Sequence, residues 1–190
     1  MKQVFFTADL HLFDEDIAKY RGFKSAQEYR DVMSNCWNIM VDDGDLVYIL
    51  GDISKEFPDT SVQWIHRHLN GHKILIPGNH DTFYTCQLFQ MDPKCSVHIP
   101  GDTVKIGGKN VILTHYPVHT DEMDFYDYNL HGHVHSPIPE IGYKPRVYPN
   151  PIRDVISRKL QKVYFNVNLE FHDWTPVHID KIIEWFNTDK

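Results

Sequence analysis

Cysteine is scarce: Cys36, Cys86 and Cys95 are the only three in 190 residues, and no two stand at Cys-x-x-Cys spacing. An odd, scattered set argues against a disulfide framework and against a structural thiolate zinc site, so we read them as reduced thiols of a cytoplasmic protein. Long apolar runs are missing too, and no stretch approaches the roughly 18 residues of a membrane span. The opening segment Met1-Lys2-Gln3-Val4-Phe5-Phe6-Thr7-Ala8-Asp9 has no signal-peptide core, because polar residues arrive too soon. Basic residues are outnumbered, 19 Lys+Arg against 26 Asp+Glu, for a net charge of −7. That balance argues against a protein that wraps long duplex nucleic acid by neutralising phosphates.

What the chain does have is a globular composition, 42% hydrophobic and 13% aromatic, and 13 histidines. The length suits one domain over residues 1–190, with enough chain to bury a sizeable core. Histidine is the commonest metal ligand, so the positions of the histidines matter more than their number.

Lys2–Thr7 reads as a buried strand, and Ser25-Ala26-Gln27-Glu28 as a capping box that opens an amphipathic helix running to Met40. Leu46–Leu50 is a short apolar run of the kind covered on both faces. Asp59–Asn70 reads as a second helix, stopped at Gly71, and Lys73–Ile76 as a third strand. Strand–helix–strand–helix–strand predicts a parallel α/β arrangement, with ligands at the strands' C-terminal ends. The second half changes character. Thr103–Ile106 and Val111–Thr114 flank Gly107-Gly108-Lys109-Asn110 as a hairpin, Leu130–Val134 and Val163–Asn168 are further strands, and Asp180–Asn187 is a terminal helix. Pro137–Pro151 is expected to be ordered without regular structure.

Five polar clusters follow apolar runs in order: Asp9-Leu10-His11, Gly51-Asp52, Gly78-Asn79-His80-Asp81, Thr114-His115 and Gly132-His133-Val134-His135. In extended backbone, residues two apart point the same way, so Asp9 with His11, and His133 with His135, can each offer a pair of ligands to one place. Carboxylate, imidazole and amide oxygen make a mixed donor set suited to manganese, iron or zinc rather than calcium. Taken singly each cluster is weak, since a lone Asp-x-His is usually a loop accident. All five in one order are hard to reach by chance.

In these residues the chain resembles the calcineurin-like metallophosphoesterase family, whose pattern is DxH…GD…GNH[D/E]…H…GHxH, matched here from Asp9 to His135. Asn166-Val167 and Trp174-Thr175-Pro176-Val177 are similar to the tail of small bacterial and phage members. The resemblance implies an α/β fold, the four-layer α-β-β-α sandwich of metallophosphoesterases. It also implies a metal-dependent phosphoric ester hydrolase with two divalent transition ions, manganese first and iron, zinc or nickel as alternatives. Asp9, His11, Asp52 and His135 would hold one ion, and Asp52, Asn79, His115 and His133 the other, with Asp52 shared. His80 would assist the leaving group or steady the transition state, and Asp81 would orient His80 by a hydrogen bond. Two cations about 3.5–4 Å apart lower the pKa of a bridging water, and the resulting hydroxide attacks phosphorus in line.

The remaining histidines have plainer explanations. His66, His68 and His72 flank a helix and its turn, and His98, His172 and His178 lie outside the clusters. His131 matches no ligand of the family, whereas His119 lies where it could reach substrate. The acidic, aromatic stretch Asp121–Tyr128 is either substrate wall or solvated loop, and Arg146, Arg153, Arg158 and Lys159 are either a second phosphate contact or an ordinary surface. Trp37 and Trp64 are simplest as core anchors of their helices.

Gly51-Asp52 continues into Ile53-Ser54-Lys55, unlike the Asp-Arg-Gly that follows in protein Ser/Thr phosphatases. Purple acid phosphatases carry a tyrosine ligand that is missing here, and His80 stands where lipid A precursor hydrolases usually have Arg. The chain is also too short for the capping domain of the DNA repair nucleases. The expectation is therefore a compact phosphodiesterase or phosphatase acting on a small phosphoester, with a nucleotide as a candidate and no membrane partner. The alternatives are a single-strand-directed nuclease and a non-catalytic scaffold of the same fold.

Overall fold

Phe5 and Phe6, neighbours on the first strand, are both buried and belong to two different hydrophobic clusters. Side chains alternate across a strand, so this one strand separates two cores. The computed structural model of the chain describes residues 2–135 and 163–188. Strand β1 (Val4–Thr7) pairs in parallel with β2 (Leu46–Ile49), β2 with β3 (His72–Leu75), and β3 with β4 (Cys95–Val97). On the other side of β1 lies the short antiparallel β9 (Val177–His178). The second sheet runs β5-β6-β7-β8: β5 (Asp102–Ile106) and β6 (Lys109–Thr114) form the expected hairpin, while β7 (Tyr128–His131) and β8 (Tyr164–Asn166) add in parallel.

The two mixed sheets pack face to face. Phe6, Tyr48, Leu50 and Ile76 of the first meet Ile106, Val111, Leu113 and Leu130 of the second. Phe5, Val47, Ile49 and Leu75 point the other way, onto the helices α1 (Glu15–Tyr20), α2 (Ala26–Met40), α3 (Pro58–His68) and α4 (Phe83–Phe89). The α/β sandwich expected from the sequence is thus the fold, and β2 is indeed covered on both faces. The terminal helix α5 (Ile179–Asn187) inserts Ile182 and Phe186 into the cluster between the sheets, with Phe186 stacked on Tyr128 at 3.9 Å.

Helix α2 shows why the local reading succeeded. Ser25 Oγ accepts the Glu28 N–H, and Tyr29, Met33 and Trp37 recur on one face to fill the core. The return half of the capping box is shifted by one residue, since the Glu28 carboxylate accepts from the N–H of Lys24, not of Ser25. Helices α1 and α4 and strands β4 and β9 escaped the sequence reading because all are short. Asp14 caps the six residues of α1, and a Thr82–Thr85 pair, without the usual Glu or Gln, caps the seven of α4. The Pro137–Pro151 stretch and Arg146, Arg153, Arg158 and Lys159 lie outside the described residues. No helix among the described residues is long and apolar enough to cross a membrane.

Candidate metal centre

The seven expected ligands come together beyond the C-terminal ends of the parallel strands, in loops and not on the strands themselves. The alternation argument for Asp9 with His11 is therefore corrected. Strand β1 stops at Thr7, and both residues have left-handed backbone, φ 56° and 45°. Asp52 and His133 share that conformation, at φ 56° and 66°. Non-glycine residues rarely sit there unless the surroundings over-determine them, and such strain gathers at functional sites. Strand β7 ends at His131, three residues short of the expected Leu130–Val134, and left-handed backbone follows at His133. That backbone sends His133 and His135 to different places, where strand alternation would have paired them.

Two donor groups result. Asp9, His11 and His135 bring one ligand atom each within 4.8 Å of one another, and Asp52, His115 and His133 do likewise. Asp52 stands between them: its Oδ2 is 3.4 Å from His115 Nε2 and 3.9 Å from His11 Nε2. Asn79 joins the second group through Oδ1, 3.0 Å from His115 Nε2.

Neighbouring groups fix which atoms face inward. His115 Nδ1–H donates to the Leu50 carbonyl at 2.8 Å, which leaves Nε2 as the electron-pair donor. His135 Nδ1 meets Glu170 Oε1 at 3.0 Å, and its Nε2 lies 3.3 Å from Asp9 Oδ1. Asp9 Oδ2 accepts the His133 N–H at 2.8 Å, so only Oδ1 is turned to the group. Asp9 Oδ1 and both ring nitrogens of His11 are buried without a hydrogen-bond partner. Buried polar atoms left this way are costly, and a cation among them would satisfy them, so the residues present fit divalent ions.

Close approach of backbone completes the packing. A Cβ on Gly132 would strike the Asp9 carboxylate and the Ala8 side chain, and one on Gly78 would strike the Asp52 carboxylate. Only glycine admits those contacts.

Electrostatics follow the geometry. Burial tends to raise the pKa of Asp9, but the His11 and His135 rings, with Nε2 atoms 3.6 and 3.3 Å from Oδ1, hold it well below the usual carboxylate range. Burial likewise opposes charge on His135, yet Asp9 and Glu170 outweigh it and push its pKa up to about 9. His133 is shifted down by burial and then by His115.

His80 belongs to neither group and borders both. Its N–H donates to Asp52 Oδ1 at 2.9 Å, its Nε2 is 3.9 Å from Asp52 Oδ2, and its ring packs edge-on to His11 at 5.6 Å. The side chain is 33% exposed, open to an incoming ligand. The hydrogen bond expected from Asp81 to the His80 ring is not what the Asp81 carboxylate makes. It accepts instead from the backbone N–H groups of Asp52, Ile53 and Gly78, at 2.7, 3.1 and 2.9 Å. Burial raises its pKa, with Asp52 adding to the effect. Asp81 therefore ties the Gly51-Asp52 loop to the Gly78-Asn79-His80 loop.

Residues outside the five clusters also build the site. Arg21, 1% exposed, pairs with Glu170 at 2.8 Å and donates to the backbone carbonyls of Asp9 and Leu10 at 2.7 and 3.3 Å. Tyr29 accepts from Arg21 and donates to Leu10 O. Asn166 and Asn168 donate to Val134 O, between His133 and His135. The Tyr116 ring lies 4.3 Å from that of His133. Asn166 apart, which the resemblance of the tail had marked, no sequence pattern points to these residues, because each acts across the fold. His131, as expected, stays out of both groups: its Nδ1 donates to Gly132 O, and burial drives its pKa down to about 4. His119 is exposed on the segment after β6.

No protein-family model matches the chain. An uncharacterised protein of Methanocaldococcus jannaschii is 27% identical over 194 residues, covering 100% of this chain and 94% of that protein. A structure of a protein of unknown function from Aquifex aeolicus superposes with a TM-score of 0.71 at 22% identity, over 97% of this chain and 99% of that one. It shows the same fold. The gene 66 protein of Mycobacterium phage D29 is 31% identical over 164 residues, which cover 73% of this chain and 81% of the phage protein. By that likeness, the chain belongs to the family of the phage D29 gene 66 protein.

Proposed function

We propose that the chain is a metallophosphoesterase of the calcineurin-like type, a hydrolase of small phosphodiesters or nucleotides that works with two divalent transition ions, manganese first. One observation carries the reading: the Asp52 carboxylate lies between two separate His/Asp donor groups, within 3.9 Å of a histidine in each. Asp9, His11, Asp52 and His135 would hold one ion, and Asp52, Asn79, His115 and His133 the other. Such ions, when bound, lower the pKa of water and neutralise charge developing on phosphoryl oxygens.

The protein's own groups do the rest. Asp9 and Asp52 offset the charge of a dinuclear site. His115 and His135 are held with Nε2 inward by Leu50 O and Glu170. The partly exposed His80 stands beside Asp52, where it would donate a proton or a hydrogen bond to the phosphoryl or leaving-group oxygen. No side chain need act as a covalent nucleophile.

The test is hydrolysis of an aryl phosphodiester by chelator-treated protein reconstituted with Mn²⁺, alongside Asp52→Asn. We expect activity that saturates near two ions per chain and is lost together with ion retention in the variant. Full activity with one ion, or in Asp52→Asn, would overturn the dinuclear reading. A kcat/KM at least tenfold higher for a phosphopeptide, roughly 1.4 kcal/mol of barrier, would overturn the substrate class.

A further inference from the structure

A third donor group lies apart from the residues around Asp52. His66, Asp92 and Cys95 each bring one ligand atom within 4.8 Å of the other two. They come from three elements: the last turn of α3, the turn after α4, and the first residue of β4. The turn is the organising feature. The Cys95 N–H donates to Asp92 O at 2.9 Å and the Lys94 N–H to Asp92 Oδ1 at 2.8 Å, which closes Asp92-Pro93-Lys94-Cys95 tightly. Residues three apart in such a turn present side chains to one point, as paired cysteines do in zinc ribbons.

The His66 ring is anchored by a backbone carbonyl. One ring nitrogen, Nε2, meets the Phe89 carbonyl at 3.2 Å and carries the proton, so the other keeps its electron pair. A metal-bound imidazole commonly donates its other ring N–H to a carbonyl. Burial shifts the His66 pKa down, against the opposing charge of Asp92. Burial also pushes the Cys95 thiol up to about 11, with Asp92 adding to the rise and Lys73 and Lys94 pulling the other way. A cation that takes the thiolate must therefore displace a proton, as zinc does in protein sites.

We propose that His66, Asp92 and Cys95 form a third metal site, for a single zinc ion, which ties the edge strand β4 to the end of α3. Imidazole, carboxylate and thiolate are zinc donors, three protein ligands leave a fourth position for water, and sulfur disfavours the hard ions magnesium and calcium. Strand β4 has three residues and sits at the open edge of the first sheet, where short strands are weakly held. The site is independent of the hydrolytic reading, because it shares no residue with it.

The probe is cobalt(II), titrated into the chelator-treated full chain. The two groups around Asp52 contain no sulfur, so a near-ultraviolet thiolate-to-cobalt absorption reports on cysteine ligation alone. We expect that band to saturate by three equivalents, since the two groups around Asp52 take up cobalt as well, to bleach when zinc is added, to persist in Cys36→Ser and to vanish in Cys95→Ser. His66→Gln and Asp92→Asn, checked for native circular dichroism, are expected to weaken the band's cobalt affinity at least tenfold, and they decide the matter if Cys95→Ser does not fold. No band at saturating cobalt, a band that survives Cys95→Ser, or unchanged affinity in both ligand variants would overturn the site.

Discussion

Glu170 Oε1 lies 3.0 Å from Nδ1 of His135, while its other oxygen receives Nε of the buried Arg21 at 2.8 Å. A residue 35 positions further along the chain thereby sets the ring of His135 in the first donor group. Removing such a partner typically lowers metal affinity about 10–100-fold. Glu170→Gln is accordingly expected to release one of two Mn²⁺ ions at concentrations that saturate the native chain, as read by titration. Undiminished two-ion affinity would show that His135 needs no such support.

Arg21 has a different consequence. Its guanidinium satisfies Glu170, Tyr29 and the carbonyls of Asp9 and Leu10, all in a buried setting. Taking away one member of a buried pair usually costs about 3–5 kcal/mol, because the other charge is stranded. We expect Arg21→Met to lower unfolding stability by about 3 kcal/mol in urea titration. A loss below about 0.5 kcal/mol, within the ordinary range of surface substitutions, would contradict the account.

For His80 the expected signature is chemical. His80→Gln should keep both ions and the fold yet lose about two orders of magnitude or more in kcat. If the ring is the proton donor, the loss shrinks for nitrophenolate, which leaves without a proton. An equal loss on all esters points to stabilisation of the phosphoryl oxygen. Depletion of metal, or full activity, would remove His80 from the chemistry.

Asp81 distinguishes positioning from loop anchoring. Its oxygens hold the N–H groups of Asp52, Ile53 and Gly78, so Asp81→Asn should lower thermal stability and ion retention together. Loss of kcat with unchanged melting and unchanged ion content would restore a role directed at His80.

Gly132→Ala tests the close approach at the first group. The added methyl would meet the Asp9 carboxylate and Ala8, and overpacking of this kind costs about 1–3 kcal/mol. We expect lowered stability and weaker ion retention, read by calorimetry and metal analysis. Native behaviour in both would mean that the loop yields freely.

The covered strand β2, the helix α2 behind Ser25, the hairpin at Gly107-Gly108 and the five polar clusters are all legible in the sequence, because each is a local pattern. Apolar period, cap, turn chemistry and strand-end polarity act over a few residues, and they brought the α/β sandwich and the candidate ligand positions within reach. Tertiary structure decided what strand alternation could not: left-handed backbone at His133 separates the two ends of His133-Val134-His135, in the division that the family resemblance implied. It alone turned Asp81 away from His80, and it joined Arg21 to Glu170 across 149 positions of chain. The physical reason is common to these cases. Local pattern fixes which residues are buried or turned, whereas the direction of a buried polar side chain depends on which unsatisfied partner the closed fold brings to it.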